Sequence, residues 1–120
     1  MMLIRSNMPD GTIGFEAIGE LTADDYREVI APALERRLPD QPLRLLVLLD
    51  DRFEKLTPGA AVQDVKLWAE HRGDWDRIAV VTDHDWIIRA VAELAALGSE
   101  TLRCFPTSEL SEAEVWVSAH

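Results

Sequence analysis

The sequence predicts an α/β domain: a mostly parallel five-stranded sheet with an antiparallel first strand, helices packed on it, and the order β-β-α-β-α-β-α-β-α. Three observations predict it. Leu43 to Leu49 (LRLLVLL) and Ile78 to Val81 (IAVV) are apolar runs bounded by turn residues, as expected of strands covered on both faces. Each is followed by a stretch with helical spacing, and strand–helix alternation of this length implies parallel pairing through right-handed crossovers. Near the start, Met8-Pro9-Asp10-Gly11 carries the residues of a tight turn, which folds the first two strands into an antiparallel hairpin.

The first strand is Met1 to Asn7, with Leu3 and Ile4 in it, and the second is Thr12 to Gly19, with Ile13, Phe15 and Ala17 on one face. Thr22-Ala23-Asp24-Asp25 resembles a capping box with Asp in place of Glu. The helix it opens sets Tyr26, Val29, Ile30, Ala33, Leu34 and Leu38 on one stripe. Pro32 lies inside it and predicts a kink, and Pro39-Asp40-Gln41-Pro42 ends it. Leu43 to Leu49 follows as a central strand, stopped by Asp50-Asp51-Arg52.

After a loop, Thr57-Pro58 places a capping residue before proline at the first helical position. Ala61, Val62, Val65, Trp68 and Ala69 form the predicted inward stripe of this second helix, which ends near Arg72-Gly73. The strand Ile78 to Val81 is stopped by Thr82-Asp83-His84-Asp85. The third helix, Trp86 to Leu97, is apolar around much of its circumference, and Gly98 ends it. Thr101 to Phe105 is the last strand. Ser111-Glu112-Ala113-Glu114 reads as a capping box for a final helix carrying Val115 and Trp116.

At 120 residues the chain is read as one domain, residues 1–120, large enough to bury about two-thirds of its unfolded surface. Twelve basic against 22 acidic residues give a net charge of -10, which disfavours phosphate-backbone binding and repels anionic membranes. Nucleic acid is therefore not an expected partner. Cys104 is the only cysteine, so no internal disulfide can form and a reducing compartment is expected. With no leader pattern and no run of 18 apolar residues, the expectation is a cytoplasmic protein without stable membrane insertion.

The strongest polar constellation joins Asp50 and Asp51 at one strand end to Thr82, Asp83, His84 and Asp85 at the next. Open α/β sheets usually place ligands at the carboxyl ends of their parallel strands, so these residues are ligand-binding candidates. Such acids could hold Mg²⁺. The commoner reading is that Thr82 and Asp85 form a capping box, Asp83 favours the helix dipole, and Asp50 and Asp51 are solvated turn acids. No metal or cofactor is predicted. His84 beside the acids could serve as a general base, but no nucleophile elbow or phosphate-cradling glycine loop accompanies it, so no catalytic residue is assigned. His71, on a helix end, and the terminal His120 have no metal-ligand spacing with it. Trp86, at the helix entrance, is the tryptophan expected to line a cleft. Ile87, Ile88, Val91, Leu94 and Leu97 would then form its apolar wall, cover the sheet, or face a second subunit in a homodimer.

The stretches GTIGFEAIGELTADDY, APALE, LRLLVLLD and DWDRIAVVTDHDWI resemble the SpoIIAA-like family of small bacterial proteins. That family has a STAS-type fold, also compared with CRAL-TRIO lipid-binding domains. The resemblance implies a non-enzymatic binding module for an apolar small molecule, a lipid or a protein partner, with self-association plausible. The wider STAS pattern includes anti-sigma-factor antagonists, which carry a phosphorylated serine at the start of the second helix. Here the corresponding stretch, Asp50 to Gly59, is longer and contains no serine. Thr57 would take the place of the phosphorylated residue, although a threonine before proline is ordinarily just a cap.

Overall fold

The computed structural model describes residues 1–36, 42–71, 73–96 and 101–119, with Trp68 described by its backbone alone. The strands are β1 (Met2–Arg5), β2 (Ile13–Ala17), β3 (Gly19–Leu21), β4 (Leu43–Leu49), β5 (Phe53–Leu56), β6 (Trp75–Thr82) and β7 (Leu102–Phe105). The α-helices are α1 (Ala23–Asp25), α2 (Ala31–Glu35), α3 (Pro58–Glu70), α4 (Asp85–Ala96) and α5 (Leu110–Ser118). Five strands form one sheet in the order β1-β2-β4-β6-β7. β1 pairs antiparallel with β2, and every other pair in that sheet is parallel, as the sequence predicts.

Alternation along the strands builds two unequal cores. One face carries Phe15, Leu43, Leu45, Ile78, Val80 and Leu102, packed with the buried side chains of the first helical segment and of α4. The other carries Leu46, Leu48, Ala79, Val81 and Phe105, packed with Ala113 and Val117 of α5. The runs LRLLVLL and IAVV have no polar alternation because both of their faces are covered. β1 is an edge strand, and its Leu3 and Ile4 are exposed.

Five local expectations are corrected. The second strand does not run to Gly19: it ends at Ala17, and Gly19 at φ +64° turns the chain into β3. β3 pairs in parallel with β5, which lies where a loop was expected, and the two make a separate small sheet. The first helix does not simply kink at Pro32. It widens into a π-helical turn, Tyr26–Ile30, where the Ala31 N–H donates to the Tyr26 carbonyl. Proline has no N–H to donate and clashes with the carbonyl four residues back, so the wider turn precedes it. The capping box at Thr22 and Asp25 forms as predicted.

The final helix begins earlier than expected. A 3-10 turn, Thr107–Glu109, leads into α5, which places Ser111 inside the helix rather than at its cap. The α3 stripe is also reversed: Val62 and Val65 are 65% and 69% exposed, while Ala60 is fully buried. The start of α3 lies against α1: a Cβ on Gly59 would stand 3.4 Å from the Ala23 Cβ, at van der Waals contact. The predicted first-helix end at Pro39-Asp40-Gln41, with Leu38 on its stripe, lies outside the described residues. So do Arg72, Leu97, Gly98 and His120.

Candidate ligand-binding site

On the helical face the sheet is incompletely covered. α3 rests mainly on α1 and the π-helical turn, whereas α4 rests on β6 and β7. Between them lies a cavity of about 280 Å³. Its floor is Phe15 of β2, Leu45, Val47 and Leu49 of β4, and Ile78 and Val80 of β6. One wall is Ile87, Ala90, Val91 and Leu94 of α4. Leu21 of β3 with Phe53 and Leu56 of β5 line it near the carboxyl end of β4. Trp86 and Leu94 each line the cavity while remaining 48% exposed, which marks its mouth.

Two oxygen-bearing side chains interrupt this lining, Tyr26 and Asp64. The π-helical turn supplies Tyr26, and the rotation of α3 supplies Asp64. The Tyr26 hydroxyl donates to Asp64 Oδ1 at 3.0 Å. Burial pushes the Asp64 carboxyl above its usual range, partly offset by that hydrogen bond. Burial, and then the neighbouring Asp64 charge, push the Tyr26 phenol far above its own. Tyr26 therefore stays protonated and acts as the donor of the pair.

Of the residues singled out from sequence, Trp86 lines the cavity, its ring 6.2 Å from that of Phe53. Asp50, Asp51, Thr57, Thr82, Asp83, His84 and Asp85 stand outside its lining. The two polar turns do meet. His84 Nε2 lies 2.8 Å from the Asp50 carbonyl oxygen, and because a carbonyl only accepts, that nitrogen carries the proton. The Asp50 carboxylate is taken up by Arg52, whose hydrogen bonds hold it below the usual carboxylate range. Asp51 and Asp85 are exposed.

The predicted capping box at Thr82 is not made, because Thr82 Oγ1 accepts from His84 N–H instead, at 3.1 Å. Asp83 reaches the other way and accepts from both the N–H and the hydroxyl of Thr107, which hold its carboxyl below the usual range. It thereby fixes the entry to α5. Among the described residues no three of His, Cys, Asp and Glu are grouped so as to hold a metal ion. Cys104 is half-buried, and burial raises its thiol pKa, the reverse of what a reactive cysteine needs.

Thr57 caps α3, its Oγ1 accepting from Ala60 N–H at 3.2 Å while its own N–H donates to the Leu21 carbonyl. Thr57→Ala is expected to cost about 1 kcal/mol of stability, read as a lower urea midpoint with unchanged slope. Sequence reasoning missed Asp64 and the pairing of Tyr26. The available signal was spacing: Ala60, Asp64 and Leu67 recur at helical intervals, a second and more polar stripe beside the apolar one.

The sequence pattern of the SpoIIAA-like family matches residues 12–118, spanning every element from β2 to α5. The chain belongs to the SpoIIAA-like family. An uncharacterized protein from Shewanella loihica PV-4, described as having a SpoIIAA-like fold, superposes with a TM-score of 0.73 at 20% identity. The match covers 98% of this chain and 92% of that one, so the shared fold extends over the whole SpoIIAA-like domain. No curated protein matches the chain. Among the described residues no helix is long and apolar enough to cross a membrane.

Proposed function

We propose that this SpoIIAA-like protein is a non-enzymatic, STAS-type binding module that holds a small apolar ligand, a lipid fragment among the candidates, between α3, α4 and the sheet. The observation that carries the reading is the cavity itself, about 280 Å³ and lined almost wholly by carbon. Ligand sites are typically apolar concavities with a few placed polar groups, and Tyr26 with Asp64 fits that description. Its lining, among the described residues, includes no serine, threonine, cysteine, histidine or lysine. The expected setting is the cytoplasm, with no nucleic-acid partner.

Native mass spectrometry of freshly purified protein, followed by denaturing extraction, tests this. A reproducible bound mass with an apolar extract is expected; a bare chain mass from every preparation, together with no uptake of added apolar probes, would sink the idea. The same spectrum reports a homodimer, which would cover the exposed apolar residues of α3 or α4.

A second reading, a regulatory protein-interaction domain of the anti-sigma-factor-antagonist kind, is favoured by the position of Thr57 at the start of the 13-residue α3. A phosphate there would face the positive end of the helix, one turn from exposed Val62. Incubation with a cell lysate and ATP, with phosphosite mapping, decides it: an unmodified Thr57 counts against the switch.

A further inference from the structure

We propose that the cavity selects an apolar molecule ending in a hydrogen-bond donor, a hydroxyl or an amine, and that Asp64 receives that group. The inference rests on the cavity being a ligand site and adds which headgroup it takes. The hydrogen-bonding inventory of the Tyr26–Asp64 pair sets the polarity at that point of the lining. The single hydroxyl hydrogen of Tyr26 is committed to Asp64 Oδ1. No donor among the described residues reaches Asp64 Oδ2, so what the pair offers to an incoming molecule is acceptor capacity. Indole N–H groups aside, the remaining lining is carbon and sulfur.

Three headgroups then separate on physical grounds. A bare hydrocarbon or an ether brings no hydrogen to Asp64 Oδ2. A carboxylate sets a second negative charge beside Asp64 in a poorly solvated space, within a chain of net charge -10. A hydroxyl or an amine supplies the missing hydrogen. Burial already raises the Asp64 pKa, so a donor from the ligand relieves a group that the fold leaves poorly solvated. The ordinary fatty acid, the commonest amphiphile with such a tail, is the one this site turns away.

Size follows from volume. An apolar cavity of about 150 Å³ takes benzene. The present cavity of about 280 Å³ therefore has room for a chain of roughly nine or ten heavy atoms.

The test is isothermal titration calorimetry at pH 8 with four probes of nearly equal size: 1-octanol, octylamine, heptyl methyl ether and octanoate. The alcohol and the amine are expected to bind at least about tenfold more tightly than the ether and octanoate. Asp64→Asn keeps the acceptor for Tyr26 but places a donor where Oδ2 stood. In that variant the alcohol's advantage over the ether falls to within about twofold, and octanoate gains. Ether or octanoate binding as tightly as octanol to the unmodified protein overturns the proposal, as does an alcohol preference that survives Asp64→Asn. Binding of all four probes alike keeps the cavity as a ligand site and removes its headgroup selectivity. Binding of none removes both. Circular dichroism checks that the variant folds, and if it does not, the alcohol–ether comparison on the unmodified chain decides alone.

Discussion

Leu46→Ala is expected to destabilise the domain by about 3 kcal/mol or more, measured by urea denaturation. Leu46 is fully buried in the middle of β4, on the face where Val81, Ala79, Ala113 and Val117 close over it. Among the described residues α5 covers that face with Met8 beside it, and the Ala113 and Val117 side chains there are completely inaccessible. Removing three carbons loses their transfer free energy and leaves a void that the strand cannot collapse into, because β4 is hydrogen-bonded to β2 on one side and β6 on the other. Domains of this kind have a net stability of only about 5–15 kcal/mol, so this single loss is a substantial fraction. A cost below about 1 kcal/mol would mean that the α5 layer is loosely packed, contrary to its burial.

What the chain discloses without its structure follows from how local each cause is. The buried parallel strands were legible because burial on both faces removes polar residues from LRLLVLL and IAVV. Thr22 and Asp25 were legible because a capping box is closed within four residues. β3 and β5 were not, because Gly19–Leu21 and Phe53–Leu56 are short and partly charged, and they are strands only through pairing with each other across more than 30 residues. α5 misled in the same way: Asp83, 24 residues before Thr107, secures the helix entry that a local serine was expected to cap.

The site divides along the same line. Trp86 could be seen because strand–turn–helix junctions mark ligand edges in parallel sheets. The acids around it could be seen too, but Asp50 is tied to Arg52 and Asp83 to Thr107, so their chemistry is spent within the fold. Asp64 was missed because the inward face of α3 is the less hydrophobic one, and the apolar stripe beside it gives the stronger periodic signal. Periodicity assigns Ala61, Val62, Val65, Trp68 and Ala69 to the inward stripe, yet Val62 and Val65 are exposed while Ala60 is buried and Asp64 meets Tyr26. A helix that turns an aspartate toward the cavity and exposes valines runs against the usual preference. Such a conflict between local pattern and fold is expected where function, rather than stability, has set the residue.

Val47→Phe, one residue along β4 from Leu46 and on the opposite face, is expected to abolish binding of apolar probes while leaving the domain folded. Val47 lines the cavity floor, so the added ring enters free space rather than a packed core. A fold under selection for stability alone would close that space with ordinary substitutions, and cavity filling commonly yields about 0.5–2 kcal/mol. The variant should therefore melt a few degrees higher than the unmodified protein in the absence of ligand, and titration calorimetry with 1-octanol should show no heat of binding. Retained octanol affinity would place the ligand elsewhere, with the turns at Asp50 and His84 the next region to test. A higher melting temperature gained together with lost binding is the signature of a cavity kept open for its occupant, and Leu46→Ala, which creates space on the other face, should show neither.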